Sequence, residues 1–261
     1  MQVSDPHFGT EQPPVVEALA TLVHQQKPDL VLLSGDITQR ARKAQFRAAR
    51  AFTDGLRTPV LAVPGNHDIP LFNLWARVRR PYAGFTAAFG HDLEPVHRAP
   101  DLLVVCANTT RAWRHVHGEI SEGQVDRVAR ILEGAQAGQL RVVMVHQPVA
   151  VTREDDIPNL LRAHATALRR WAEAGVDLVV GGHIHLPYVL ALPGLARPVW
   201  AVQAGTAVSS RVRDGAPNSV NLLRWGRHAS PGCCQIEQWD FVADPRAFVR
   251  VKVSEVRPMR A

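Results

Sequence analysis

Five short polar clusters in this chain carry residue types that hold metal ions. They read Ser4-Asp5-Pro6-His7, Gly35-Asp36, Gly65-Asn66-His67-Asp68, His146-Gln147-Pro148 and Gly182-His183-Ile184-His185. Together they offer the carboxylates Asp5 and Asp36, the amide Asn66 and the imidazoles His7, His67, His146, His183 and His185. Imidazole mixed with carboxylate and amide oxygen suits Mn, Fe or Zn better than Mg or Ca. Two such ions about 3.5–4 Å apart need about seven side chains, and a carboxylate is the natural bridge because its oxygens can serve both. A lone Gly-Asp is common in turns, and a single histidine after a strand is usually a satisfied surface or core residue. The signal lies in the set, because every cluster ends an apolar run.

Those apolar runs are the elements that must position the clusters. Leu30 to Leu33, Val60 to Val63, Leu102 to Cys106, Val142 to Val145 and Leu178 to Val180 read as buried strands. Helices alternate with them: one entered through Pro13-Pro14, one over Ala41 to Asp54, one opened by Ser121 with Gln124, and one over Asn159 to Ala174. This alternation predicts an α/β core with a largely parallel sheet, whose strands bring their carboxyl ends to one edge. Beyond His185, Val199 to Val202, Val220 to Trp225, Gln235 to Val242 and Phe248 to Val253 read as strands of a second, mixed or antiparallel sheet. No linker interrupts the chain, so residues 1–261 are expected to form one domain.

Within the clusters, Asp5 and His7 lie two apart, as do His183 and His185, so on extended segments each pair points to one side. Gly35, Gly65 and Gly182 precede ligand candidates, where backbone must pass close by or turn sharply.

Three sparse cysteines without a CxxC pair argue against a disulfide framework or a zinc ribbon, and a cytoplasmic location is expected. No apolar run approaches the length of a membrane span, and the first residues lack the charge and apolar core of a signal peptide, so no membrane partner is expected. Only four residues precede Asp5, so a few native residues are expected before Met1. The formal net charge of +6 fits an arginine-rich surface or a partner carrying phosphates.

The five clusters, in this order from Asp5 to His185, resemble the calcineurin-like metallophosphoesterase superfamily, whose signature runs Asp-x-His, Gly-Asp, Gly-Asn-His-Asp/Glu, His and Gly-His-x-His. The resemblance implies a four-layer α-β-β-α sandwich of two mixed sheets. It implies one metal held by Asp5, His7, Asp36 and His185, and another held by Asp36, Asn66, His146 and His183, with Asp36 bridging. It implies that His67 is not a ligand but assists the leaving oxygen, oriented by Asp68. The implied reaction is hydrolysis of a phosphoester by a water activated between two transition-metal ions. Many relatives carry His-His-Pro where this chain has His146-Gln147-Pro148, which keeps the ligand and changes its neighbour.

In size, layout and the stretch His117-Gly118-Glu119-Ile120-Ser121 the chain is similar to bacterial class III cyclic nucleotide phosphodiesterases. A phosphodiesterase acting on a cyclic nucleotide or similar diester is the leading expectation. Arg111, Arg114 and His117 are candidate substrate contacts, with further arginines at Arg77 to Arg80 and at Arg211 and Arg213, and with Trp75 and Tyr82 able to stack a base. A nuclease acting on DNA or RNA is the alternative that the basic balance favours. Phosphomonoester hydrolysis and an inactive scaffold of the same fold are the others. A second copy in a homodimer is the remaining expected partner.

Overall fold

The strands foreseen in the first half of the chain divide between two sheets rather than lining up in one. In the computed structural model, which describes residues 1–226 and 229–259, β1 (Gln2–Val3), β2 (Val31–Ser34) and β3 (Val60–Val63) run parallel in the first sheet. The second holds β4 (Val96–Ala99), β5 (Leu102–Cys106), β6 (Leu140–Met144) and β7 (Leu178–Gly181), together with β8 (Tyr188–Ala191) and β9 (Trp200–Gln203). The chain then returns to the first sheet with β10 (Ser219–Arg224), β11 (Cys234–Val242) and β12 (Ala247–Val256). The strand orders are β12-β11-β10-β1-β2-β3 and β4-β5-β6-β7-β9-β8. The expectation that the last strands make a sheet of their own is therefore corrected: β8 and β9 extend the second sheet, and β10 to β12 extend the first.

The helices are α1 (Pro13–Gln26), α2 (Lys43–Gly55), α3 (Leu74–Arg79), α4 (Ala83–Phe89), α5 (Glu122–Glu133) and α6 (His164–Glu173). They cover the outer face of each sheet, except α3, which buries no residue. Proline opens α1, which buries Val15, Leu19, Leu22 and Val23 at helical spacing. Ser121 caps α5 by accepting from the Gln124 amide. The helix expected from Asn159 starts only at His164. Residues Glu154–Asn159 wind as a 3-10 segment containing Pro158, and Ala163 takes a left-handed backbone (φ 66°) that breaks the run.

Alternation along the strands builds three apolar layers. Val31 and Leu33 face α1 and α2 together with Leu19, Phe46 and Ala49. Leu30 and Leu32 face inward and meet Val104, Cys106, Val142, Met144 and Val180 of the second sheet. Leu103, Val105, Val143 and Val179 face outward again onto Val128, Leu132, Leu168 and Trp171 of α5 and α6. The result is a four-layer α-β-β-α sandwich. β1 is only two residues long, yet it lies between β2 and β10, with Val3 buried.

Candidate metal centre

Every cluster leaves the carboxyl end of a parallel strand. Asp5 and His7 follow β1, Asp36 follows β2 and Asn66 follows β3, whereas His146 follows β6 and His183 and His185 follow β7. The clusters meet because two sheets present these ends side by side, and polar ties hold them there. The His146 ring donates from Nδ1 to the Ser34 carbonyl across the sheets (2.8 Å), and the His183 amide donates to the Asp5 carboxylate (2.9 Å to Oδ2).

The ligand candidates do not sit on extended backbone, which corrects the simple alternation argument. Asp5 (φ 49°), His7 (φ 44°), Asp36 (φ 47°), His183 (φ 74°) and His185 (φ 55°) all occupy the left-handed region. That conformation is uncommon outside glycine, and tight left-handed bends are what turn these side chains inward. Close approach explains two glycines. A side-chain carbon at Gly65 would run into the backbone and carboxylate of Asp36, and one at Gly182 into Ser4 and Asp5.

The donor atoms converge on two neighbouring points. Asp5, His7 and His185 form one group, and Asp36, His146 and His183 form another. His7 Nε2 lies 3.1 Å from His185 Nε2, and His185 Nε2 lies 3.4 Å from Asp5 Oδ1. His146 Nε2 lies 3.3 Å from Asp36 Oδ1 and 3.2 Å from Asn66 Oδ1. Ligands bound at about 2.1 Å to a common ion stand about 3.0–3.4 Å apart, so these spacings fit a cation at each point. The two oxygens of Asp36 face different groups, Oδ1 toward His146 and Oδ2 toward His7 (3.8 Å). His183 Nδ1 is buried with no hydrogen-bond partner among the described residues, as a nitrogen reserved for a metal would be. Backbone carbonyls of Ser34 and Arg211 accept from Nδ1 of His146 and His185, which leaves Nε2 of each ring as the lone-pair side.

Charge follows from burial. Burial holds the His7 and His183 rings neutral, with pKa values lowered to about 3. For His146 burial works in the same direction, but the Asp36 carboxylate outweighs it and raises the value to about 9. Asp36 is itself driven well below the usual carboxylate range, against its burial, by His146.

The Asp68 carboxylate makes no hydrogen bond to the His67 ring among the described residues. It accepts from the amides of Gly65 (2.9 Å), Ile37 (3.0 Å) and Thr38 (2.8 Å) and from the Thr38 hydroxyl (2.9 Å). It therefore clamps the Asp36 loop to the Asn66 turn from beneath. The His67 ring is instead held by the Gln39 carbonyl, which accepts from Nδ1 (2.9 Å), and Nε2 faces the Arg211 guanidinium (3.1 Å). Gln39 gave no sign in the sequence because its backbone does the work.

A depression of about 480 Å³ opens over the centre, lined by Asp36, Asn66, His67, His183, His185 and Arg211 among others. Arg111, Arg114 and His117 do not line it. The Arg111 guanidinium donates to the Asn108 and Thr110 carbonyls, Arg114 pairs with Glu119 (2.7 Å), and the His117 ring contacts the Pro158 carbonyl (3.0 Å). Their loop borders the centre, but its cations are spent on holding the loop itself. Arg211 and Arg213 both line the depression, Arg213 paired with Asp156 (2.8 Å) and Arg211 donating to Gln39 Oε1 (3.0 Å) beside His67.

Comparison with known proteins gives the family and the fold. The family described as calcineurin-like phosphoesterase matches over residues 1–187. A probable cyclic nucleotide phosphodiesterase from Synechococcus is 27% identical over 190 residues, covering 69% of this chain and 67% of that protein. The glycerophosphodiester phosphodiesterase GpdQ of Enterobacter lignolyticus is 43% identical over a stretch of 44 residues, 17% of this chain and 16% of that protein. Among solved structures, a dimetal phosphatase from Danio rerio superposes with a TM-score of 0.70 at 14% identity, covering 99% of this chain and 98% of that one. A purple acid phosphatase from yellow lupin does so with a TM-score of 0.70 at 13% identity, covering 98% of this chain and 53% of that one. At such identities these two report the shared fold.

Proposed function

The chain belongs to the calcineurin-like phosphoesterase family, and from that premise we propose that it is a binuclear metal-dependent phosphodiesterase acting on a cyclic nucleotide or a similar small diester. The observation that carries the reading is the pair of donor groups joined at Asp36, whose oxygens face both. In this reading Asp5, His7, Asp36 and His185 would hold one Mn, Fe or Zn ion, and Asp36, Asn66, His146 and His183 would hold the other. Such a pair supplies Lewis acidity, activating water near neutral pH and neutralising charge on the phosphoryl oxygens. His67, fixed by Gln39, would present Nε2 to the leaving oxygen and, once that nitrogen is protonated instead of accepting from Arg211, would give it the proton. Arg211, beside that nitrogen, grips a non-bridging oxygen and orients the diester. The choice of a diester rests on the similarity to the Synechococcus relative and on an open mouth carrying two arginines, Arg211 and Arg213, rather than a long basic track.

The test is turnover of 3′,5′-cyclic AMP by protein reconstituted with Mn²⁺. His67→Ala should keep its metal content and lose about 10²–10⁴ in rate. Equal rates in the two proteins would remove His67 from the chemistry. Cleavage of an activated model diester without cyclic AMP turnover would keep the metal centre and discard the cyclic nucleotide.

A further inference from the structure

The short helix α3 is turned inside out. At about 100° per residue, Leu74, Trp75 and Val78 fall within an arc of about 100°, and all three are exposed. Trp75 is 66% exposed and Val78 76% exposed, whereas the inward side carries Ala76 and Arg77. Arg77 ties the helix down by donating to the carbonyls of Pro70 (3.1 Å) and Arg114 (2.9 Å). The second bond brings the neighbouring loop alongside, where Trp113 is 74% exposed; on the other side Phe72 is 81% exposed. Five large apolar side chains on α3, just before it and in the loop tied to it are thus exposed, more than a solvated stretch ordinarily shows.

Beside them runs a groove of about 820 Å³, floored by Phe46, Leu71, Phe72, Ala87 and Ala88. Its wall carries Arg40, Arg42, Lys43 and Arg47, and no carboxylate lines it. None of these four cations forms an ion pair among the described residues, and Arg40 lies over the Phe72 ring (5.8 Å). Arg40 directly follows Gln39, whose carbonyl holds His67, so the groove begins one residue from the metal centre.

We propose that α3 and this groove dock onto the surface of an anionic lipid bilayer, with Phe72, Leu74, Trp75, Val78 and Trp113 entering the headgroup region and the four cations facing its acidic lipids. Exposed aromatic and aliphatic side chains ringed by arginine and lysine are what an anionic interface takes up. A second copy fits less well, because a two-fold contact over this patch would set like charges against each other. Single-stranded nucleic acid would use the flat rings but not Leu74 and Val78. No helix among the described residues is long and apolar enough to cross a membrane, so the contact is peripheral.

The experiment is co-sedimentation of the whole chain with vesicles of phosphatidylcholine alone and of phosphatidylcholine and phosphatidylglycerol in equal parts, which reads binding without turnover. Binding should require phosphatidylglycerol, weaken as salt is raised, and shift tryptophan emission to the blue. Trp75→Ser with Val78→Ser should lower partitioning about tenfold or more, and Arg42→Gln with Arg47→Gln should lower it about 25-fold. Both pairs are exposed and should fold as the parent does. Equal sedimentation with both vesicle types, or variants that bind like the parent, would overturn the proposal. So would a dimer that Trp75→Ser dissociates in protein that ignores vesicles, or retention of a single-stranded oligonucleotide in place of vesicle binding.

Discussion

Asp68 is a buried carboxylate that braces the candidate metal centre through backbone amides. It accepts three backbone amides and a hydroxyl. Burial pushes its pKa up to about 7, as does the Asp36 charge, against the pull of those amides. Asp68→Ala leaves the amides of Gly65, Ile37 and Thr38 buried and unpaired, so stability should fall by about 3 kcal/mol or more in urea denaturation. Metal content should fall with it, because the Asp36 loop and the Asn66 turn lose their common anchor. If Asp68 acted by orienting His67, the same variant would keep its metal and lose only rate. Arg211→Ala should behave in the opposite way. The His185 ring is held by the Arg211 carbonyl rather than its side chain, so metal content should stay while KM for the diester rises about tenfold or more. The ligand candidates could be read from the sequence because Asp, His and Asn advertise metal chemistry in their side chains. Their supports, the carbonyls of Ser34 and Arg211, could not, nor could the Gln39 carbonyl that holds His67, because any residue supplies a carbonyl.

Among elements, the three antiparallel strands that close the first sheet carry their own electrostatic clasp. Glu237 on β11 accepts from Arg224 of β10 (3.0 Å), Arg250 of β12 (3.0 Å) and Trp239 (2.9 Å). Burial alone would raise its pKa, but the bonds from Arg224 and Trp239 prevail and hold it below the usual range. A carboxylate depressed in the folded state contributes stability above its unfolded pKa, and that stability is lost as pH falls through the folded value. Glu237→Gln should therefore cost about 1–3 kcal/mol at neutral pH and flatten the loss of stability between neutrality and about pH 3. Urea midpoints measured across that range check both. Strand positions were readable, with β3 and β5 falling on the expected residues. Sheet membership was not, because β2 and β6 are both short apolar runs buried on two faces. Nothing in such a run says which partner it pairs with. α3 escaped notice for the opposite reason: it lacks the inward apolar stripe by which a helix is recognised.

At the scale of the whole molecule, the candidate centre spans the seam between the two sheets. The first sheet contributes Asp5, His7, Asp36 and Asn66, and the second contributes His146, His183 and His185. Ions held there would clamp the sheets at one end, while Leu32, Val142, Met144 and Val180 join them along the apolar layer. Chelation should then lower stability by about 3 kcal/mol relative to protein with metal at about a hundredfold above its Kd. Hydrogen exchange should rise most in the loops after β2 and β7 and little in α1 or α5. Uniform loosening would place the ions elsewhere. The fold class and the convergence of the five clusters followed from the sequence pattern and the resemblance. The seam itself did not, since it depends on the chain leaving the first sheet after β3 and returning only at β10.

The left-handed backbone at Asp5, His7, Asp36, His183 and His185 restricts how this centre could be rebuilt. Among residues with side chains, Asn, Asp and His enter that region most readily, and the same three supply oxygen and nitrogen to transition metals. Conformation and coordination thus select one small alphabet at these five positions. An engineer retuning metal preference can exchange letters within it, as in His7→Asn or Asp5→Asn, at little conformational cost. A β-branched residue there would oppose the backbone before any question of ligation arose.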